Sequence, residues 1–157
     1  MPASPADRRY SKEHEWVKAD GDAARIGITD YAQDQLGDVV YVDLPDAGAT
    51  VAQFEKMGEI ESVKAVSDLF SPISGDVIAT NHGVVEKPEL VNSDPHGGGW
   101  LLEVRISDAS ELDKLLSAEE YDAMWGNDRY LDQYLVPARI RFYQDVAEVA
   151  KYFVGRG

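Results

Sequence analysis

The run Glu61-Ser62-Val63-Lys64-Ala65-Val66-Ser67-Asp68 decides how this chain is read. Strand-like residues lead into it from Met57 and out of it towards Ile73, and small or β-branched side chains flank its single lysine. A lysine that acts as a base or Schiff-base nucleophile needs apolar burial or a neighbouring cation to lower its pKa. Lys64 is surrounded instead by negative charge, with Glu59, Glu61 and Asp68 close in sequence. It therefore reads as a presented lysine: a solvated turn residue, or a handle for a modifying enzyme. Gly48 and Gly75 stand on either side of the stretch, and such glycines permit the positive φ of tight turns. The pattern predicts a β-hairpin with Lys64 at or near its tip.

Composition narrows what such a handle can serve. The 157 residues fit one domain with a sizeable core, and 44% hydrophobic with 28% charged residues is ordinary for a globular protein. Cysteine is absent, which excludes disulfides, thiolate metal sites and a cysteine nucleophile, so any redox chemistry has to come from an attached group. The apolar runs are too short to span a membrane, and Met1 to Arg9 lacks the apolar centre of a secretory signal and is expected to be a flexible tail. The net charge of −14 repels phosphate backbones, so nucleic acid is excluded as a partner. A strong field of this kind speeds encounters with successive protein partners. The charge is uneven: residues 1–126 carry −15 and residues 127–157 carry +1.

Short β-rich runs punctuated by Gly, Pro, Asn and Asp predict strands at 14–18, 23–28, 38–43, 57–63, 66–71, 75–80 and 99–106. Thr29 or Asp30 caps a helix over Tyr31–Leu36, stopped by Gly37. Pro88 to Val91 predicts a further helical turn, Ser107 or Asp108 a helix through Leu115, and Ser117 with Glu120 a capping box opening a helix to Trp125. Residues 137–154 differ in kind. Ile140, Phe142, Tyr143, Val146, Ala150 and Phe153 recur with helical period against a polar side of Arg141, Gln144, Glu148 and Lys151, predicting an amphipathic helix. Its apolar face has to be covered, by its own domain or by a second copy in a homodimer.

The lysine between two strands resembles the lipoyl and biotinyl carrier domains. Biotin carriers usually place methionine on both sides of the lysine; Val63 and Ala65 favour lipoate. Further segments narrow the resemblance: His14-Glu15-Trp16-Val17, Gly27-Ile28-Thr29-Asp30-Tyr31-Ala32-Gln33, Leu36-Gly37-Asp38-Val39-Val40-Tyr41-Val42, Ser71-Pro72-Ile73-Ser74-Gly75, Pro88-Glu89-Leu90-Val91-Asn92, Gly99-Trp100-Leu101 and Leu116-Ser117-Ala118-Glu119-Glu120-Tyr121. In this order, from about Tyr10 to Trp125, they resemble the H protein of the glycine cleavage system. The resemblance implies a mainly β barrel-sandwich hybrid with short peripheral helices, residues 10–126 as the carrier domain, and residues 127–157 as a C-terminal extension for which the family offers no counterpart.

It also implies a function. Lipoate attached to Lys64 would carry an aminomethyl group from glycine decarboxylase (P protein) to a tetrahydrofolate-dependent aminomethyltransferase (T protein), and electrons to dihydrolipoyl dehydrogenase (L protein). A lipoyl ligase or lipoyltransferase would attach it, and the protein would be a cytoplasmic carrier that breaks no bond itself. The alternative in the same family is an H-like protein that relays lipoyl groups to other carriers. The family folds its loaded arm into a cleft, which makes Glu15 and Asp68 candidates for holding the arm's amine by a charge-assisted hydrogen bond. His14, His82 and His96 lack ligand-like spacing, so no metal site is expected; no catalytic constellation stands out, and Trp16 and Trp100 read as core.

Overall fold

The computed structural model describes residues 3–125 and 140–142. In chain order the elements are β1 (Arg9–Tyr10), β2 (Glu15–Asp20), β3 (Ala23–Ile28), α1 (Asp30–Leu36), β4 (Val39–Asp43), β5 (Thr50–Val51), β6 (Lys56–Ser62), β7 (Ala65–Phe70), β8 (Gly75–Thr80), α2 (His82–Glu86), α3 (Leu90–Ser93), β9 (Leu102–Ile106), a 3-10 helix (Ala109–Lys114), α4 (Ala118–Trp125) and β10 (Ile140–Phe142). The strands form a six-stranded sheet ordered β1-β2-β3-β9-β8-β5 and a four-stranded sheet ordered β10-β7-β6-β4. The mainly β expectation holds, with two sheets that stay open rather than closing into a barrel.

Alternation along the strands explains how the sheets stack. Val17, Ile26 and Ile28 of the larger sheet and Ile60, Ala65 and Leu69 of the smaller one are buried in one shared core. The opposite face of the larger sheet carries a second cluster, Tyr10, Trp16 and Tyr121, beneath α4. Trp16 is core as expected: it lies directly over its cross-strand partner Gly27, where a Cβ would stand 2.6 Å from the indole Cε2. Its Nε1 donates to the Pro95 carbonyl at 3.0 Å, and the Arg8 guanidinium covers its ring. Trp100 packs against this second cluster and lies under Arg25.

Three local expectations change. Residues 4–9 are tied down rather than free: Ser4 donates from N and Oγ to the Asp122 carboxylate, Arg8 donates to the His96 carbonyl, and Arg9 pairs with Val17. Gly75 is needed for close approach, not for a positive φ, because a Cβ there would run into the Arg105 carbonyl of β9. Gly48, at φ +97, is the turn glycine.

The third change concerns the extension. Ile140–Phe142 is a strand where periodicity predicts part of a helix over 137–154, and it extends the smaller sheet by pairing antiparallel with Ala65–Ser67. An open sheet edge offers a row of unpaired amides and carbonyls, which outweighs the local helical preference of so short a run. The remainder of 127–157 lies outside the described residues. Among the described residues no helix is long and apolar enough to cross a membrane.

Candidate functional site at the tip of a hairpin

Strands β6 and β7 pair Glu59 with Asp68, Ile60 with Ser67 and Glu61 with Val66, which leaves Val63 and Lys64 as a two-residue tip. Both tip residues are exposed. The backbone beneath them is held by one hydroxyl: Ser62 Oγ accepts from Lys64 N at 3.2 Å and from Ala65 N at 3.0 Å, and donates to the Ala65 carbonyl at 3.3 Å. This is the local side-chain-to-backbone bonding that suits serine to turns. The remaining tip amide, Val63 N, donates to the Asp38 carbonyl at 2.9 Å. The tip is therefore seated on the loop that joins α1 to β4.

That loop is also where the lysine side chain rests. Gly37, at φ +78 and ψ −160, ends α1, and a Cβ on it would lie 3.3 Å from Lys64 Cε. The helix before it forms as expected. Thr29 Oγ1 caps it by accepting from Ala32 N, and the Gly37 amide closes it by donating to the Gln33 carbonyl.

The hairpin stem carries its own charges. Lys56 Nζ lies 2.7 Å from Glu59 Oε1 and 3.3 Å from Asp68 Oδ1; the hydrogen bond to Glu59 first, and that to Asp68 second, hold its ammonium above the usual lysine range. Asp68 pairs with Glu59 on the side of β7 away from Leu69 and the shared core. Glu61, directly below the tip, is buried.

Glu15 occupies a different environment. It is fully buried at the start of β2, one residue before Trp16 and so on the face of the larger sheet that turns towards the core, with Val17. Ser11 Oγ lies 3.2 Å from Glu15 Oε1 and accepts from Glu15 N at 3.1 Å, while Ser11 N donates to the Glu15 carbonyl at 2.8 Å. Between them His14 adopts φ +72, uncommon for a side chain of its size. Its ring is fixed by Tyr121, whose hydroxyl lies 2.6 Å from His14 Nδ1 and 2.7 Å from Thr29 Oγ1. The two acids named from the sequence thus sit apart in kind, Asp68 on an outer face beside Lys56 and Glu15 enclosed at the inner face.

The remaining histidines stand at the starts of helices. His96 Nε2 accepts from Asp30 N at the start of α1, and burial followed by the nearby Arg8 cation holds its ring below the usual imidazole range. His82 opens α2, which Asn81 caps through Gly83 N. Among the described residues no group of three His, Cys, Asp or Glu converges as metal ligands would. A cavity of about 340 Å³ lined by Ser11, Phe54, Phe70 and Leu115 opens at the base of the hairpin. Phe70 is ~17 Å along β7 from Ala65 at the usual strand rise, so this cavity is remote from the tip.

Sequence reasoning did not single out Ser62, which holds the tip, Asn92, which bonds Gly37 and Val39 beside it, or Tyr121, which fixes His14 next to Glu15. Ser62, placed two residues before the lysine, carried a turn signal; Asn92 and Tyr121 act across long sequence separations that no local pattern encodes.

Comparison with known families supports the same reading. Residues 8–128 match the family model described as glycine cleavage H-protein. Over 124 residues, 79% of this chain, it is 50% identical to the glycine cleavage system H protein of Carboxydothermus hydrogenoformans and 52% identical to that of Bacillus mycoides, spanning 95% and 98% of those proteins. The crystal structure of a glycine cleavage system H protein from Mycobacterium marinum superposes with a TM-score of 0.73 at 42% identity, covering 79% of this chain and all of that one. The chain belongs to the glycine cleavage H-protein family.

Proposed function

We propose that Lys64 is the residue that carries lipoate. One observation supports it above the others: Lys64 is the exposed lysine of a two-residue tip in which the amides of Val63, Lys64 and the following Ala65 are each held, by the Asp38 carbonyl or by Ser62 Oγ. Such a tip presents a primary amine to an acylating enzyme with little backbone freedom to lose on binding. As a member of the H-protein family the chain is the shuttle of glycine cleavage, working between the P, T and L proteins. The lipoyl group supplies a disulfide that takes up the aminomethyl carbon and electrons and gives them up again. The polypeptide's part is to present and shelter that group, as a non-catalytic carrier in the cytoplasm that is acylated by a lipoyl ligase or lipoyltransferase.

For sheltering, Glu15 offers a buried carboxylate oriented by Ser11 Oγ, a setting in which a charge-assisted hydrogen bond to an amine is strong. Asp68 would have to exchange the Lys56 ammonium for that of the arm. The pairing of Ile140–Phe142 with β7 of the same chain favours a self-docked extension over a homodimer built through a C-terminal helix.

Substituting Lys64→Arg tests the attachment site. The guanidinium keeps the charge but is not acylated, so co-expression with a lipoyl ligase should leave a folded protein at its unmodified intact mass. A lipoyl adduct on the arginine variant would overturn the assignment.

A further inference from the structure

The lysine tip is seated on residues 37–39, and those residues are in turn held by a side chain that no local pattern connects with the lysine. Asn92, in α3, reaches them across more than fifty residues of sequence. Its Nδ2 donates to the Gly37 carbonyl at 2.9 Å and to Gln33 Oε1 at 3.0 Å, and its Oδ1 accepts from Val39 N at 2.8 Å. Both amide hydrogens are used, together with one lone pair of the oxygen. The contacts bracket the segment, one on the carbonyl that leaves Gly37 and one on the amide that enters Val39.

Gly37 and Asp38 are the two residues that meet the tip. The Lys64 stem lies over Gly37, and the Asp38 carbonyl accepts from Val63 N. A shift in this segment moves the surface on which the stem rests and the acceptor that anchors the residue before it. Val39 also starts β4 and pairs with Ser62, whose hydroxyl holds the other two tip amides. One carboxamide therefore touches, at one remove, the Asp38 support of the tip and the strand partner of Ser62.

We infer that Asn92 is a positioning residue for Lys64: by clamping residues 37–39 it sets the direction in which the lysine is presented to the enzyme that acylates it. Sites built this way depend on the groups that orient the contacting residues as much as on those residues themselves. The inference rests on the reading of Lys64 as the lipoyl attachment site.

The test uses the full-length chain with a lipoyl ligase, and begins with wild type. Peptide mass mapping should place lipoate on Lys64; a label elsewhere, or none, defeats the attachment reading itself. Asn92→Asp keeps the acceptor for Val39 N and replaces both donors by an oxygen. Asn92→Ala removes all three contacts without adding charge and carries the test should the aspartate variant lose its native near-UV dichroism. Gln33→Ala removes the one Asn92 contact that does not touch residues 37–39, together with the Gln33 Nε2 bond to Asp30 Oδ1, and serves as the control.

A positioning role gives a roughly tenfold lower kcat/KM for lipoylation of the Asn92 variants, with the Gln33 variant unchanged. It also gives faster amide hydrogen exchange at Val63 without change at Val17 or Ile26. A merely structural role would lower the melting temperature and leave lipoylation of the folded protein at the wild-type rate. That outcome, or unaltered exchange at Val63, would overturn the inference.

Discussion

The aliphatic stem of Lys64 lies across Gly37, close enough that a Cβ on the glycine would stand 3.3 Å from the lysine Cε. Gly37 is thus constrained twice, by its neighbour and by its backbone at φ +78 and ψ −160, a region open essentially to glycine alone. Gly37→Ala should cost about 1–3 kcal/mol in backbone strain and displace the lysine stem. Urea unfolding measures the first effect and the rate of lipoylation the second; a variant as stable as wild type would show that the loop relaxes freely.

Tyr121 joins α4 to the body through one hydroxyl shared by His14 and Thr29, all three side chains being buried. Tyr121→Phe keeps the ring stacked on Tyr10 and leaves two buried polar groups short of a partner. The expected loss is about 1–3 kcal/mol, read by denaturant titration, and lipoylation of Lys64 should proceed at the wild-type rate.

Glu15→Gln replaces the carboxyl by an amide while keeping the shape and the contact with Ser11. Lipoylation should be unaffected, since Glu15 belongs to another sheet from the Lys64 tip. A loaded arm, in contrast, should release ammonia faster, by the equivalent of about 1.5–3 kcal/mol for a lost bond to a charged group. Equal decay of loaded wild type and variant would confine Glu15 to a structural role with Ser11.

Stability should fall on mild acidification, and His96 is the group responsible. Burial first, and the Arg8 cation second, lower its folded pKa, with Asp30, Asp94 and Asp122 acting weakly in the opposite sense. The unfolded chain therefore takes up the proton before the folded one. Stability is full above the ordinary imidazole value of about 6.5 and is lost as pH falls from there through the lowered folded value. A ring protonated at Nε2 also ceases to accept from Asp30 N at the start of α1. Asp7, held at about 2 chiefly by its hydrogen bond from Arg8, stays ionised throughout this window. The melting temperature should drop as pH falls below about 6.5, and His96→Gln should flatten that drop; an equal drop in both proteins would assign the effect elsewhere.

What could be read from the sequence was what local chemistry controls. The Thr29 cap, the Gly37 stop and the reciprocal Ser117–Glu120 box all form as their residue types require. So does the Lys64 hairpin, shifted by one residue so that the tip is Val63-Lys64. Gly99 to Leu101, expected as strand, instead follows a turn in which Gly99 N and Gly98 N both bond to Asp94. The two-residue strands β1 and β5 are too short to leave a period, and exist only because longer partners offer them an edge. The enclosure of Glu15 by Ser11 and the reach of Asn92 to Gly37 depend on how distant segments meet. Ile140–Phe142 adds the clearest case of tertiary pairing overriding a helical period.

The placement of Ile140–Phe142 along Ala65–Ser67 bears on how this carrier behaves in a crowded cell. Without that strand, β7 would be the terminal strand of its sheet, and its outward amides and carbonyls would be a template on which another copy could add, edge to edge. Strand β7 follows directly on Lys64, the residue proposed to carry lipoate, so bulky shielding of its edge would crowd the enzymes that have to reach that residue. Three residues of backbone pairing guard the edge beside Ala65–Ser67. A copy shortened before Ile140 should accordingly show its defect as concentration-dependent aggregation, and protein yield would record the extension's contribution before any assay of glycine turnover did.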